Sequence, residues 1–367
     1  MSTTNAVPYV TLGRSGLRVH PLCLGAMTFG TDWGFGSDES TSVQVLQRYL
    51  ELGGNFIDTA NIYTKGHSEK IMGDFFRTGP GKGRRDRVVI ATKFGGNMWL
   101  GDPNGGGSNA KAMLDAVHHS LRRLQTDYID LLWCHFWDRT VPLEELMRTM
   151  DHLVQQGKVR YLGLSDHPAW VCAVAQHLAI QHRWAPLVAL QIEYSLLQRT
   201  VEAELIPAAQ HLGMGVTPWS PLRGGVLSGK FTRANRPKDD GSTRVRSDSK
   251  HLNDRTYDLL DALGAMAAAK RCTVAQLALR WVMDRPGVQS TIIGARTLAQ
   301  LEDNMGAMHV ALTTAETQQL DALTKPELPF PAEFLEYIRH GVQNGTTVNG
   351  LPSDPWPLGP KTDSERW

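Results

Sequence analysis

The sequence predicts an α/β protein built as a (β/α)8 TIM barrel, with an N-terminal β-hairpin, a long loop after the seventh strand and a C-terminal extension. Short apolar runs of strand length alternate with longer segments that repeat apolar residues at three- and four-residue spacing. The eight strand–helix units run over residues 22–306, a length that suits a barrel of about 250 residues with insertions. An open doubly wound sheet shows the same alternation, and the eight regular units favour the closed barrel.

The elements follow one another in a regular order. The opening stretch "YVTLGRSGLRV" has two apolar runs around a turn from Gly13 to Gly16 and predicts a hairpin. The strand candidates are "LCLG" (22–25), "NFID" (55–58), "VVIATK" (88–93), "YIDLLWCH" (128–135), "RYLGLS" (160–165), "LVALQIE" (187–193), "GVTPW" (215–219) and "STIIG" (290–294). The helix candidates are residues 42–53, 109–125, 142–158, 168–179, 205–213, 274–284 and 298–306.

Residues 1–367 are predicted to form a single domain, with the barrel at about 20–310. Two segments depart from the alternation. Residues 230–255 are polar and basic, and a loop of that length is uncommon unless it is functional or disordered. The tail, 326–367, mixes aromatic residues with Pro and Gly, and we expect its first half to lie partly over the barrel mouth.

Composition narrows the class of protein. The 367 residues carry a net charge of +1 and are 41% hydrophobic, so a substantial core is expected and neither nucleic acid nor an anionic membrane is an expected partner. The four cysteines are far apart, without the spacing of a metal site, and predict free thiols. No signal peptide and no apolar run of about 18 residues is found, so a cytoplasmic location is expected.

Polar residues stand at the ends of the predicted strands, where the active site of such a barrel forms. The second strand ends at Asp58, the third at Lys93 and the fourth at His135, and Tyr63 follows five residues after Asp58. Each residue alone has an ordinary explanation, such as a turn, a surface charge or a structural histidine. Because acid, phenol, cation and imidazole converge on one predicted face, a functional site is favoured.

This set of groups suits proton transfer to a carbonyl oxygen. A tyrosine with a pKa near 10 is a weak proton donor at neutral pH, and a neighbouring ammonium lowers that pKa. A carboxylate holds the lysine in place, and a neutral imidazole orients the carbonyl oxygen. Such general acid catalysis needs a separate source of hydride, which a cofactor must supply.

Several motifs resemble the aldo-keto reductases, in order and with plausible spacing, from about residue 9 to residue 325. They are "FIDTANIY…HSE", "VVIATKFG", "DLLWCHFWD", "GLSD", "QIEYSLLQR", "TPWSPLRGGVLSGK" and "TIIGARTLAQLEDN". The likeness is greater to the branch containing the potassium-channel β subunits and the aryl-alcohol dehydrogenase-like oxidoreductases, because of "LGAMTFG" and "PWSPLRGGVLSGK". The resemblance implies a catalytic tetrad of Asp58, Tyr63, Lys93 and His135, in which Asp58 holds Lys93, Lys93 acidifies Tyr63, and Tyr63 donates the proton.

The resemblance also implies NADPH or NADP+, less often NADH, bound without a Rossmann fold. The implied cofactor residues are Gly25, Met27, Thr28, Ser165, Asp166, Gln191, Trp219, Ser220, Leu222, Lys230, Gly294, Arg296, Gln300, Asp303 and Asn304. Arg296, at a helix start, can pair with a 2′-phosphate, which favours NADPH. Many family members carry Asn at the position of Asp166, and an ionised Asp accepts hydrogen bonds but cannot donate one to the carboxamide oxygen.

Aromatic residues are expected around the mouth. Those in the loops after the strands are Phe29, Trp33, Phe35, Trp99, Phe136 and Trp137, and those in the tail are Phe330, Phe334 and Tyr337. They suggest an apolar, aromatic or polycyclic substrate, although simple packing explains about half of them nearly as well.

We therefore predict an NADP(H)-dependent oxidoreductase that reduces aldehydes or ketones, reversibly as an alcohol dehydrogenase. One alternative is a regulatory subunit that senses redox state through bound NADP(H) with slow turnover. Another is a barrel aldolase in which Lys93 forms a Schiff base, although this leaves Asp58 and Tyr63 without a role.

Overall fold

The computed structural model describes residues 8–238 and 245–366, and its centre is a parallel barrel. An antiparallel hairpin of β1 (Val10–Thr11) and β2 (Arg18–Val19) precedes it. The barrel strands are β3 (Leu22–Gly25), β4 (Phe56–Asp58), β5 (Val89–Phe94), β6 (Ile129–Cys134), β7 (Val159–Ser165), β8 (Leu187–Glu193), β9 (Gly215–Trp219) and β10 (Thr291–Gly294). They pair in parallel in the order β10-β3-β4-β5-β6-β7-β8-β9.

Helices cover the outside of the barrel and continue into the tail. They are α1 (Glu39–Glu51), α2 (His67–Arg77), α3 (Ala110–Leu124), α4 (Leu143–Gln155), α5 (Ala169–His182), α6 (Leu205–Leu212), α7 (Asp254–Lys270), α8 (Val274–Met283), α9 (Leu298–Met305), α10 (Thr314–Leu323) and α11 (Ala332–Gln343). A last small hairpin, β11 (Thr347–Val348) and β12 (Leu351–Pro352), follows α11. Among the described residues, none of the helices combines the length and apolar character needed to span a membrane.

The barrel is nearly closed. Strand β10 pairs with β3 along its whole length, from Thr291 opposite Leu22 to Gly294 opposite Gly25. Between β9 and β10 the pairing narrows to one bridge at Val216, which donates to the Gly287 carbonyl at 2.9 Å and accepts from the Gln289 amide at 3.0 Å. All eight strands therefore end on one side of the molecule.

Two apolar layers hold this arrangement together. The inner layer fills the barrel and includes Trp133, Phe56 and Leu131, while the larger outer layer lies between the strands and the helices. Every residue of β3, β4 and β5 is buried, as expected for parallel strands covered on both faces.

The N-terminal hairpin plugs the bottom of the barrel. Its Leu12 and Val19 are fully buried in the inner layer. Gly13 has φ +57°, and a Cβ there would lie 2.0 Å from the Val188 carbonyl oxygen, so glycine is required at this close approach. The mouth at the opposite end stays open.

The predicted barrel is confirmed, and each predicted strand agrees with the structure to within one residue at either end. The seven predicted helices are also present, but α2, α7, α10 and α11 were not predicted. Gly73 obscured α2, and it is required because a Cβ there would lie 2.1 Å from the Arg123 carbonyl oxygen of α3. The alanine-rich second half of α7 weakens its apolar period.

The predicted loop at 230–255 is partly described. Residues 239–244 lie outside the described residues, and the described remainder up to residue 253 contains no helix or strand. Asn253 ends this segment as the N-cap of α7, because its side chain accepts a hydrogen bond from the Thr256 amide.

Replacing Leu12 with alanine tests the role of the plug. Deleting this fully buried side chain removes apolar contacts and leaves a cavity, so we expect the free energy of unfolding to fall by about 2–4 kcal/mol in urea titrations. Leu100→Ala is the control, since Leu100 is fully exposed and its loss should change stability by no more than about 0.5 kcal/mol. Equal stabilities for the two variants would contradict a structural role for the hairpin.

Candidate active site

A cavity of about 610 Å³ lies at the C-terminal ends of the barrel strands. Its wall includes residues at the ends of β3, β4, β7, β8, β9 and β10 and in the loops that follow them. The position is the one that the barrel geometry predicts for an active site.

A buried ion pair lies at the base of this cavity. The Lys93 ammonium contacts Asp58 Oδ1 and donates to the Thr59 carbonyl at 2.8 Å, and both charged side chains are almost completely buried. Gln191 Nε2 donates to the other carboxylate oxygen, Asp58 Oδ2, at 3.0 Å. Burial opposes the charge on Lys93, but Asp58 and Tyr63 outweigh burial and raise the pKa of Lys93 above its usual value. The lysine is therefore a cation.

Tyr63 lies beside the Lys93–Asp58 pair and is followed at once by a strained turn. Thr64, Lys65 and Gly66 have consecutive positive φ angles of +46°, +58° and +93° immediately after the tyrosine. Such angles are rare for a β-branched residue such as Thr64 and must be held by surrounding contacts. The Thr64 hydroxyl supplies two of them, because it donates to the Phe29 carbonyl at 2.8 Å and accepts from the Ser68 amide at 2.9 Å.

Two opposing effects set the pKa of Tyr63. Lys93 Nζ lies 4.8 Å from the centroid of the phenol ring and favours the phenolate. Burial nevertheless outweighs this effect, so the pKa of Tyr63 is raised rather than lowered. Lys93 therefore acts on the Tyr63 pKa in the expected direction, burial decides the net shift, and Tyr63 is a protonated phenol at neutral pH.

His135 completes the tetrad as a neutral imidazole. Its ring lies 5.7 Å from the Tyr63 ring and stacks on Phe136 at 4.2 Å. Burial and the nearby Lys93 ammonium lower the pKa of His135 to about 2. A neutral ring keeps one N–H, which can donate a hydrogen bond to a carbonyl oxygen, but the ring does not act as an acid at neutral pH.

One supporting residue was identified only as part of a family motif. Glu69 on α2 is fully buried, accepts from the Thr92 hydroxyl at 2.5 Å and pairs with Arg123 Nε at 2.7 Å. These contacts tie α2 and α3 to the strand residue adjacent to Lys93. The sequence signal is the acid in "HSE" at the start of an unrecognised helix.

All fifteen residues expected to bind a cofactor lie on the wall of this one cavity. The loops also contribute residues that the sequence did not suggest, namely Ile62, Gly224, Gly225, Ser228 and Phe231, together with Ala275 and Leu279 of α8. Ala275 and Leu279 lie in a segment whose apolar spacing predicts an ordinary packed helix, so the sequence offered no reason to place them at a site. The adjacent glycines Gly224 and Gly225 were the one sequence signal, and their φ angles are +66° and +107°.

The far end of the cavity fits a phosphate-bearing ligand. Arg296 and Lys230 both line it, and in the ranges 8–238 and 245–366 neither forms an ion pair. A Cβ placed at Gly224, Gly225 or Gly294 would meet nothing within 4 Å, so a ligand can approach the backbone closely. A nicotinamide dinucleotide, elongated and doubly anionic at its centre, suits this lining. Over the same described ranges, no cluster of metal-ligating side chains is found.

Asp166 is hydrogen-bonded to Trp219, the residue whose ring is expected to stack on the nicotinamide. Its Oδ1 accepts from Trp219 Nε1 at 3.0 Å, and the Ser165 hydroxyl lies 3.4 Å from its Oδ2. The carboxylate faces the cavity, and the surrounding protein raises the pKa of Asp166 to about 6 by desolvation. A protonated fraction near neutral pH can donate a hydrogen bond, which weakens the expected distinction between Asp and Asn here.

The aromatic residues expected at the mouth divide into several groups. Phe136 lines the cavity, and Trp33 lies 6.0 Å from the Tyr63 ring, edge to face, and 5.9 Å from Phe35. Trp137 packs against Trp170, 5.3 Å away.

The remaining expected aromatics lie elsewhere. Phe29 is fully buried in the outer layer, because its loop turns back under Thr64, so it does not line the cavity. Trp99 is exposed and packs on His119. The tail residues Phe330, Phe334 and Tyr337 are exposed and do not line the cavity.

Comparisons with known proteins agree with this geometry. Residues 21–325 match the model of the aldo/keto reductase family. Norsolorinic acid reductase A of Aspergillus parasiticus is 36% identical over 330 residues, covering 88% of this chain and 82% of that protein. Aryl-alcohol dehydrogenase GME11368 of Pestalotiopsis microspora is 35% identical over 329 residues, covering 88% of this chain and 83% of that protein. The uncharacterized oxidoreductase YrpG of Bacillus subtilis is 38% identical over 314 residues, covering 83% of this chain and 92% of that protein.

The buried pair makes a prediction for folding that is independent of catalysis. Asp58→Asn leaves the Lys93 ammonium buried without its counter-ion, so we expect a loss of about 3–5 kcal/mol in the free energy of unfolding. Adding Lys93→Met removes the uncompensated charge and should restore most of that loss, as measured by urea unfolding.

The exposed pair Lys111–Asp115 provides the matched control. Asp115→Asn, with or without Lys111→Met, should change stability by less than about 1 kcal/mol, because both side chains are more than half exposed. If Asp58→Asn and the double variant were equally stable, the two charges would not be coupled.

Proposed function

The chain belongs to the aldo/keto reductase family and is an oxidoreductase, and we propose that it reduces aldehydes or ketones with NADPH, using Tyr63 as the proton donor. The same groups serve alcohol oxidation with NADP+ in the reverse direction. The observation that carries the proposal is the placement of Tyr63 on the wall of the cavity with the buried Lys93–Asp58 pair beside its ring.

The proposed mechanism divides the work between cofactor and protein. A bound nicotinamide supplies or accepts the hydride. Tyr63, a protonated phenol at neutral pH, gives its proton to the carbonyl oxygen as negative charge develops there. Lys93 then stabilises the phenolate that remains, and Asp58 keeps Lys93 charged and in place. In the reverse direction this phenolate takes the proton from the alcohol.

His135 acts by position in this proposal. With its pKa at about 2, the imidazole stays neutral throughout the working pH range and adds no competing positive charge beside Tyr63. Its ring packs against Tyr63 and Phe136, and this supports a role in which its N–H donates a hydrogen bond to the substrate oxygen. The general acid catalysis itself, by Tyr63, contributes about 10²–10⁴-fold to a rate.

Arg296 supports NADPH as the preferred cofactor. It lies at the start of α9, lines the cavity and has no ion-pair partner among the described residues. Its backbone is fixed, since its amide donates to Gln300 Oε1 at 2.9 Å and its carbonyl accepts from the Ser37 hydroxyl at 3.0 Å. A positioned guanidinium can form charge-assisted hydrogen bonds with the 2′-phosphate that NADH lacks.

The side of the cavity around Tyr63 supports an aryl carbonyl or aryl alcohol substrate. Trp33, from the loop after β3, packs edge to face on the Tyr63 ring. Phe136 stacks on His135, which lies on the other side of Tyr63. Such rings offer stacking and edge-to-face contacts to a planar substrate. Two of the relatives are named as an aryl-alcohol dehydrogenase and a norsolorinic acid reductase, which agrees with this substrate class.

Tyr63→Phe tests the proposed proton donor. With NADPH and 4-nitrobenzaldehyde, followed by loss of nicotinamide absorbance, we expect turnover by the unaltered protein and a decrease of at least about 10²-fold in the variant. NADPH affinity should be nearly unchanged, because the hydroxyl is needed for the proton and not for binding the dinucleotide. Full activity in the variant would contradict the proposal, and a protein that retains NADPH without reducing any carbonyl compound would favour the sensor alternative.

Arg296→Leu tests cofactor preference. Removing the guanidinium should weaken NADPH binding at least about tenfold and leave NADH binding nearly unchanged, as measured by fluorescence titration. Arg87→Leu is the matched control, since Arg87 is exposed just before β5 at the other end of the barrel. An equal loss for both cofactors would mean that Arg296 does not recognise the 2′-phosphate.

A further inference from the structure

Asp166 is a carboxylate on the cavity wall that has no cation of its own. Across residues 8–238 and 245–366 it takes part in no ion pair. The charged side chains that act on it, Lys93 and Glu193, are both paired already. Lys93 is paired with Asp58. Glu193 is paired with Arg223. An ionised Asp166 is therefore an unbalanced negative charge that faces the cavity.

This charge lies beside the proposed proton donor. Burial is the main cause of the raised pKa of Tyr63, and the negative charge of Asp166 adds to it. The Asp166 side chain is held by Trp219, whose Nε1 donates to Oδ1 at 3.0 Å, and it is exposed to the open cavity. A ligand that reaches Tyr63 therefore comes within range of the Asp166 charge.

The chemistry of the proposed function places a changing charge in the same part of the cavity. When hydride is transferred to a carbonyl compound, a C–H bond of the dihydronicotinamide breaks and its electron pair forms the new C–H bond on the carbonyl carbon. The proton of Tyr63 passes to the carbonyl oxygen, and the nicotinamide ring is left with a positive charge. Since NADPH and NADP+ are otherwise alike, they differ here by one unit of charge.

We propose that Asp166 is the counter-charge for the oxidised nicotinamide ring, so that the cavity binds NADP+ more tightly, relative to NADPH, than it would with a neutral residue at this position. Opposite charges attract strongly where protein rather than water surrounds them. The attraction stabilises the complex that remains after hydride transfer, so it favours carbonyl reduction within the bound complex. This inference rests on the proposed function and adds to it the residue that sets the balance between the two cofactor forms.

The backbone at this position allows the charge to be removed alone. Asp166 has φ +53°, a region that Asp and Asn enter more readily than most other residues with a Cβ. An Asn side chain also keeps an oxygen that can accept the hydrogen bond from Trp219 Nε1. Asp166→Asn therefore preserves the backbone, the size of the side chain and the indole hydrogen bond, and it removes the charge.

Titration of Asp166 gives a second way to change the charge. Desolvation raises the pKa of this carboxyl to about 6, although the hydrogen bond from Trp219 and the charge of Lys93 oppose the rise. The carboxyl is thus mostly neutral at about pH 5.5 and mostly ionised at about pH 8.

Several charged and titratable side chains surround Asp166 or share its part of the cavity wall. They are Tyr63, Lys93 with its partner Asp58, His135, His167, and Glu193 with its partner Arg223. Tyr63 and Lys93 have raised pKa values and stay protonated in this range. Burial lowers the pKa of His135 to about 2 and that of His167 to about 4, so both imidazoles stay neutral.

Isothermal titration calorimetry with NADP+ and with NADPH tests the proposal. The dissociation constants of both forms are measured at about pH 8 for the unaltered chain and for Asp166→Asn. We expect the substitution to weaken NADP+ binding at least about tenfold and to change NADPH binding by less than about threefold. The ratio of the two constants is the decisive quantity, because the 2′-phosphate, the pyrophosphate and the carboxamide are present in both forms and their effects cancel.

A pH series on the unaltered chain needs no substitution. Between about pH 5.5 and about pH 8 the preference for NADP+ over NADPH should rise, since the charge that attracts the oxidised ring exists only above the pKa of Asp166. In Asp166→Asn the preference should not depend on pH over this range. His251, which contacts Arg223 at 3.2 Å, is present in both proteins, so the comparison separates the titration of His251 from that of Asp166.

Asp303→Asn is the matched control. Asp303 also lines the cavity, but it lies on α9, where it accepts from Gln276 Nε2 at 3.0 Å and from the Thr273 hydroxyl at 3.2 Å. That helix begins beside Arg296, the residue proposed to bind the 2′-phosphate. Removing the charge of Asp303 should change the affinities for NADP+ and NADPH by the same factor, because the two forms are identical outside the nicotinamide ring.

Three results would overturn this inference and leave the proposed function standing. The first is an unchanged ratio in Asp166→Asn although both forms still bind. The second is a preference in the unaltered chain that does not rise with pH, and the third is an equal change of the ratio in Asp303→Asn. A chain that binds neither NADP+ nor NADPH would instead contradict the proposed function, and this inference with it.

Discussion

The burial of a lysine beside a carboxylate is the constraint on which the rest of the site depends. Lys93 and Asp58 are each almost inaccessible to water, and a charge in such a place is stable only with a partner and filled hydrogen bonds. Asp58 accepts from Lys93 and from Gln191, and Lys93 also donates to the Thr59 carbonyl. In the proposed mechanism, a charge fixed in this way beside Tyr63 is available at the moment the phenolate forms. It needs no solvent reorganisation, which is the advantage of a preorganised site.

The barrel supplies the geometry that this pair requires. Parallel strands end on one side, so residues that are 35 positions apart in sequence, such as Asp58 and Lys93, come into contact. Tyr63 lies beyond a strand end, and the strained turn at Thr64 with its two hydroxyl hydrogen bonds fixes its position. Backbone strain of this kind is tolerated where surrounding contacts determine it, and it is typical of functional sites.

The sequence predicted what depends on periodicity and missed what depends on tertiary contacts. The strands and their polar ends were accessible because buried parallel strands form continuous apolar runs, as "VVIATK" does. Helix α2 was missed because Gly73, which lowers helix propensity, is required by the close approach of α3. Phe29 was assigned to the mouth because its loop follows a strand, and only the fold shows that the loop turns the ring into the outer layer.

The net electrostatics of the site also depend on packing that the sequence does not show. Proximity to Lys93 predicts a lower pKa for Tyr63, but the sequence does not reveal how completely the phenol is buried, and burial has the larger effect. The same applies to Asp166, which desolvation brings to a pKa of about 6. Where opposing effects are of similar size, their balance depends on three-dimensional packing and not on residue types.

The central claim is that a carbonyl substrate in this cavity receives a hydride from the cofactor and a proton from the protein. The most direct measurement uses NADPH deuterated at the transferring position of the nicotinamide ring, with an aldehyde in ordinary water, and the alcohol is analysed by mass spectrometry. One deuterium on the carbinol carbon of each product molecule is the expected result, with the hydroxyl proton coming from solvent through Tyr63. Alcohol without deuterium, or an aldehyde recovered unchanged while the cofactor is bound, would contradict the account.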